Sequence, residues 1–265
     1  MTAAGRRFTV STRLPRYRAA LAQLPVSAGP ADDVRGGVAV VPGSGNWWQG
    51  VLAARAGGAL AVVLVDPGML PRGAVDGGPW PRDIPVIVDR PGLRADVVAD
   101  AAQARQSSQP RMLTIDCAAP AAGMAGVVLD GIGWARSLMG AGLKLCSGAS
   151  TTGATMALLE GWGVDGMATP VTLMATRTGG RRPGGLIRVV AHGEVRTEVT
   201  IDQPAGLACI ETSTGEGVFR APLCYEAPAR LALRRAMEAC ASGQPPGDLA
   251  DLLADMAVAA GIAAL

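Results

Sequence analysis

Three residues in one short turn carry the first hint of chemistry. Gly43-Ser44-Gly45 follows the apolar run from Gly37 to Pro42 and precedes a stretch with helical spacing from Trp47 to Ala56. A glycine-containing turn between a buried strand and a helix leaves backbone N–H groups at the helix N-terminus, where a pyrophosphate can bind. Asp66 ends the next apolar run, Leu60 to Val65, about twenty residues further on. An acidic side chain there suits the ribose hydroxyls of NAD or NADP. Trp48 takes the place where a third glycine would let helix and strand pack closely. The same pattern also fits an ordinary strand–helix turn.

Proton chemistry has fewer candidates. Asp130 lies in a helical stretch running from Ala121 to Met139. It reads as a general base if burial raises its pKa, or as a helix-surface or capping carboxylate. Lys144 is the only lysine, so any mechanism needing an amine rests on it. At the start of the following sheet it also reads as an ordinary edge-strand lysine. His192, the only histidine, sits in a hairpin turn and reads as structural. Ser147 to Gly153 is rich in hydroxyls and glycine: a loop for phosphate or sugar, or a plain connection. Trp47, Trp48 and Trp162 read as a ligand platform or as packing, and Arg181-Arg182 as a solvated hairpin tip. The five cysteines form no C-x-x-C pair, so no metal site and free thiols are expected.

These residues need elements to position them. Apolar runs at Gly37–Pro42, Leu60–Val65, Ile84–Val88 and Met112–Ile115 alternate with helical stretches at Trp47–Ala56 and about Arg94–Gln106. Continuous apolar strands separated by helices predict a mostly parallel sheet covered on both faces. Residues 1–35 read as irregular apart from a short helix at Arg13–Leu24. From Leu143 to Arg220 strand follows strand. Ile187, Val189 and Ala191 alternate with polar neighbours, as do Val195, Val199 and Ile201 beyond the His192-Gly193 turn, which predicts one buried face and one wet face. Two helices close the chain, with Asp248 as the N-cap of the second. The expected architecture is α/β plus α+β: a reduced Rossmann-like domain over 1–118, then an open antiparallel-sheet domain over 119–265.

Several segments resemble the glucose–fructose oxidoreductase/inositol dehydrogenase family. They are Asp130-Gly-Ile-Gly-Trp134-Ala-Arg-Ser-Leu-Met-Gly140, Tyr225-Glu226, Arg230 to Ala236, and Ser242 through Asp248 to Val258. The resemblance covers roughly residues 110–265. It implies an N-terminal Rossmann domain, here shortened, an open-sheet second domain, and NAD(P)-dependent chemistry on a small hydroxy or oxo compound. It also places Asp130 where the family carries a catalytic His. The segment Gly57 to Pro67 is similar to the family's strand ending Glu-Lys-Pro, which puts Asp66 at the Lys position. Losing both residues leaves a second expectation: a catalytically inactive relative acting as a partner subunit or small-ligand binder.

Composition sets the remaining expectations. A net charge of +2 without a basic stripe argues against nucleic acid. No apolar run reaches membrane-spanning length, and no signal core is evident, so a cytoplasmic location is expected. A broad open sheet needs covering, which predicts a homo-oligomer or a partner subunit.

Overall fold

The computed structural model describes residues 7–71, 78, 80–105, 108–163, 166–180, 184–221 and 226–265. Arg181, Arg182, Cys224 and Tyr225 lie outside the described residues. The described chain separates into two units. The first takes in the described residues of Met1–Gly68, Asp76–Pro91 and Tyr225–Asp251, and the second those of Met69–Val75, Gly92–Cys224 and Leu252–Leu265.

The first unit is built on a five-stranded parallel sheet. Its strands are β1 (Phe8–Ser11), β2 (Ala28–Pro30), β3 (Val38–Pro42), β4 (Ala61–Val65) and β5 (Val86–Asp89), in the order β2-β1-β3-β4-β5. The runs VAVVP, AVVLV and VIV are rich in β-branched residues and buried on both faces, as expected of a parallel layer. Alternate residues choose the face. Val38, Val40, Ala61, Val63 and Ile87 join one core with Tyr17 and Leu21 of α1 (Pro15–Ala22) and with Ala232, Leu233 and Ala236 of α5 (Pro228–Ser242). Val41 points to the other face, against α2 (Trp47–Ala56), where a Cβ on Gly50 would lie 2.8 Å from it.

The N-terminal segment differs from its reading as irregular. It supplies β1 and β2, and β1 lies inside the sheet between β2 and β3. Strands of four and three residues are too short to leave a periodic signal. Asp248 is not simply an N-cap either. Its carboxylate accepts from Arg235 Nη1 at 2.9 Å, Arg235 Nη2 at 2.8 Å and the Val88 N–H at 3.0 Å.

The second unit holds an eight-stranded sheet. Its strands are β6 (Met112–Ala119), β7 (Leu143–Ser150), β8 (Ala154–Trp162), β9 (Ala168–Arg177), β10 (Leu186–His192), β11 (Arg196–Asp202), β12 (Leu207–Thr214) and β13 (Gly217–Arg220). The order is β13-β12-β11-β10-β6-β9-β8-β7, antiparallel throughout except for the β6–β9 pair. Met112–Ile115, read as a fourth strand of the parallel layer, therefore belongs here as part of β6. Its alternating burial is that of a strand with one covered face.

Helix α3 (Ala95–Ala104) leads into β6, and α4 (Met124–Met139) packs beneath β6 and β10. Contact between α4 and β6 depends on Gly131. A Cβ there would fall 2.9 Å from Ile115 Cγ2 and 3.0 Å from Cys117 Sγ. Helix α6 (Asp248–Ile262) reaches α4 through Asp255, which pairs with Arg136 at 2.8 Å. Among the described residues no helix is long and apolar enough to cross a membrane.

Candidate functional site

In the first unit the strand order reverses between β1 and β3. Ligands of open parallel sheets bind at such a switch point, outside the carboxyl ends of the strands. Two turns stand there: Thr12-Arg13-Leu14 before α1, and Gly43-Ser44-Gly45-Asn46 before α2. They are unequal as anion cradles. Helix α1 begins on Pro15, which has no N–H, and the Leu14 N–H donates to Thr12 Oγ1 at 3.2 Å. Helix α2 begins after Asn46 with no side chain capping it, and Gly45 holds φ +59° with open space where a Cβ would point. The α2 turn therefore suits a phosphate group better than the α1 turn.

Gly43 is needed for a different reason. The loop after β4 lies directly on it: the Gly43 N–H donates to the Val65 carbonyl at 2.6 Å, and the Gly68 N–H to the Gly43 carbonyl at 2.8 Å. A Cβ on Gly43 would fall 2.4 Å from the Asp66 carbonyl oxygen. Trp47 fixes the same loop by donating from Nε1 to the Gly68 carbonyl at 2.9 Å, and its ring stacks on Trp80. The Trp47 indole is thus buried packing, not a ligand platform.

Gly43, Ser44, Gly45 and Asp66 are accordingly brought together at the strand ends. Asp66 holds φ +51°, the only positive φ outside glycine among the described residues. Although its surface is exposed, dense surroundings desolvate the carboxyl and push its pKa up; Arg16 opposes this and Asp89 adds to it. Sequence reasoning missed these neighbours. Tyr17 donates its hydroxyl to Asp89 Oδ2 at 2.6 Å, and Arg16 stands 3.6 Å from the same oxygen. Burial first, and Asp89 second, hold the Tyr17 phenol far above its ordinary range.

Asp130 and Lys144 both lie in the second unit, and the structure does not bring them together. Asp130, 5% exposed, accepts the Gly92 N–H at 2.9 Å, while Trp134 Nε1 donates to the Gly92 carbonyl at 2.7 Å. Two residues one helical turn apart on α4 thus hold both polar groups of a single glycine. Lys144 is exposed on β7, the edge strand, and pairs in register with Glu160. Its neighbours Leu143 and Leu145 pair with the buried Gly161 and Leu159, so Lys144 leaves the sheet on the open face, away from α4. His192 is exposed at the end of β10.

A cavity of about 330 Å³ lies within the second unit. Met124, Ala125 and Val128 of α4 and Ala259 and Ile262 of α6 make its apolar wall. Ser150, Thr155 and Arg177 make a polar one. The Ser150 and Thr155 hydroxyls are 2.8 Å apart, and Arg177 donates from Nη1 to the Thr152 carbonyl at 2.9 Å. The hydroxyl-rich run, read as a loop, is instead the end of β7 (147–150) followed by the β7–β8 turn (151–153), with Ser150 and Thr151 at the cavity. Arg177 was not singled out from sequence, yet a signal exists: Val171, Leu173, Ala175 and Arg177 share one strand phase, and a cation ending an apolar phase marks a boundary with something polar. Such a mixed lining suits a small molecule with an apolar body and hydroxyl, oxo or acidic groups. Among the described residues no cluster of His, Cys, Asp or Glu is arranged to hold a metal.

No family model matches the sequence, and no curated protein matches it at a significant level. Solved structures do match along nearly the whole chain. UDP-N-acetylglucosamine 3-dehydrogenase GnnA from Acidithiobacillus ferrooxidans aligns with TM-score 0.67 and 14% identity over 97% of this chain and 96% of that one. KijD10, a 3-ketoreductase from Actinomadura kijaniata solved with TDP-benzene and NADP, aligns with TM-score 0.66 and 13% identity over 98% and 97%. A dehydrogenase (MviM) from Clostridium difficile aligns with TM-score 0.63 and 9% identity over 97% and 89%.

Proposed function

We propose, with the fold of the glucose–fructose oxidoreductase/inositol dehydrogenase type as premise, that the chain is a divergent oxidoreductase acting with NAD(P) on a small hydroxy or oxo compound. One observation carries this reading: both halves of the dehydrogenase scaffold are kept, with end-to-end alignment to enzymes of that fold. The Gly43-Ser44-Gly45 turn and the open start of α2 would hold the cofactor's phosphates, with Asp66 beside them. Bound there, the nicotinamide would supply the hydride donor or acceptor. In the second unit the apolar wall would seat the substrate body, and Ser150, Thr155 and Arg177 would orient its polar groups. Asp130 is buried, holds the Gly92 N–H and is not among the described residues that line this cavity, so no proton transfer is assigned to it.

A second reading has its own support. The commitment of Asp130 to Gly92 and the exposure of Lys144 on the open face favour a catalytically inactive relative that binds a small ligand or serves as a partner subunit. Exposed Met156, Leu158, Trp162 and Met174 on the open face of the second sheet fit contact with a second copy under either reading, which light scattering of the purified protein would test. Thermal shift separates the two functional readings. A ligand that binds only the folded chain raises its Tm. NADP(H) or NAD(H) should do so, and Gly45→Trp should remove the shift. Absence of any shift at millimolar cofactor defeats the oxidoreductase reading and leaves the binding one.

A further inference from the structure

A polar cluster lies beneath the second sheet, apart from the cavity described above. Arg105 follows the last turn of α3 and is 2% exposed. Its Nη1 donates to the Val195 carbonyl at 3.4 Å and its Nη2 to the Ser108 carbonyl at 2.7 Å. The Nε hydrogen has no partner among the described residues, and neither does the guanidinium have an ion pair there. Two residues beyond Val195 comes Thr197, wholly buried on β11. It faces Thr212 of β12 across the ladder, and Thr212 is 4% exposed. Both hydroxyls are buried without a hydrogen-bond partner.

A groove of about 730 Å³ opens beside this cluster: Thr212 lines it, as do Ala104, which precedes Arg105, and Val195, whose carbonyl Arg105 holds, together with Thr214 and Phe219. Buried guanidinium is expensive without a counter-charge, because arginine does not shed its proton to escape the cost. Buried hydroxyls without partners add to that cost. An oxyanion supplies what all three groups lack: negative charge for Arg105 and lone pairs for Nε–H and two O–H donors. Glu216, exposed on the β12–β13 turn, also lines the groove, and its charge favours a small anion over an extended polyanion.

We propose that Arg105, Thr197 and Thr212 form a binding site for a small oxyanion, phosphate or carboxylate. The site is independent of the oxidoreductase reading.

The test titrates the full chain with inorganic phosphate against chloride at matched ionic strength, following Tm, with acetate as a second arm. Expected is a saturable rise in phosphate, acetate or both; the arm that responds identifies the anion. Two variants control for general salt stabilisation. Arg105→Met removes the cation. The double variant Thr197→Val with Thr212→Val keeps the side-chain shape, removes both orphan hydroxyls, and should fold at least as stably as the parent in chloride. It should bind the anion roughly tenfold more weakly or worse, as two charge-assisted hydrogen bonds are lost. No rise in either anion overturns the proposal, and so does a rise of equal size and midpoint in the parent and the double-valine protein.

Discussion

Replacing Asp255 with alanine should loosen the second unit by an amount its geometry bounds. The Asp255 side chain is 1% exposed and the Arg136 side chain 16%, with Nε–Oδ1 at 2.8 Å and Nη2–Oδ2 at 3.4 Å. At that separation the gross attraction is about 6 kcal/mol for an effective dielectric of ~20, and desolvation of both ions offsets much of it. Removing only the carboxylate keeps the desolvation cost of Arg136 and loses the attraction. Breaking such pairs costs about 3–5 kcal/mol, and the partial solvent access of Arg136 puts this one at about 3. For a chain of this size that corresponds to a fall in Tm of roughly 6–12 °C. The assay is urea unfolding followed by tryptophan fluorescence, to which the buried Trp134 contributes. Arg136→Met combined with Asp255→Leu removes both ions and should recover most of the loss. Ala259 and Ile262 follow Asp255 on α6 and line the cavity, so the single variant should also weaken cavity ligands. A loss below about 1 kcal/mol, or a double variant as unstable as the single one, would refute the claim that this pair anchors α6.

Three further outcomes follow from the buried groups and the exposed lysine. With the Tyr17 phenol raised in the fold, the folded chain binds more protons than the unfolded chain above about pH 10, so stability is full below that pH and falls as pH rises past it. Tyr17→Phe should cost about 1.5–3 kcal/mol at neutral pH and flatten the alkaline fall, as read from denaturation curves between pH 8 and 11. Cys117, its thiol pushed up to about 12 by burial and then by Asp130 and Asp116, should resist thiol reagents at pH 8 until the chain unfolds, while exposed Cys146 reacts at once in a mass-resolved labelling course. Lys144→Ala should change stability by less than about 0.5 kcal/mol and leave cofactor-induced thermal shifts unaltered; a marked loss of either would return Lys144 to the functional site.

The strands that could be read from sequence are those whose residues leave no alternative. VAVVP and AVVLV are continuous β-branched runs, and only a layer covered on both faces buries them. Helix α2 was readable to the residue because Gly57 and Gly58 end it. By contrast, β1 and β2 owe their place to parallel neighbours distant in sequence, not to any pattern of their own. The segment MLTIDCAA carried its answer in its alternation, which marks one covered face, while position beside the parallel strands suggested the wrong sheet. The candidate residues divide along the same line. Gly43 and Asp66 each follow the last residue of a strand, Pro42 of β3 and Val65 of β4, a strand–turn position that a sequence displays. Asp130 meets Gly92 across 38 positions, and Arg105 meets Val195 across 90, contacts that only the closed fold creates.

Helix α5 gives the first unit an unusual dependence on time. Ala229, Ala232, Leu233, Ala236 and Met237 complete the core beneath β1, β3, β4 and β5, yet they are synthesised long after the last of those strands. While the ribosome makes the second sheet, one face of the parallel layer has only α1 to shield it. Apolar positions such as Val40, Val63 and Ile87 then stay accessible to chaperones and to other nascent chains until residues 228–242 leave the exit tunnel. Translation rate and tunnel clearance thus govern when this unit can first close. A stalled chain ending near residue 220 would present a sticky half-built layer, and a fragment supplying α5 in trans would be its natural complement.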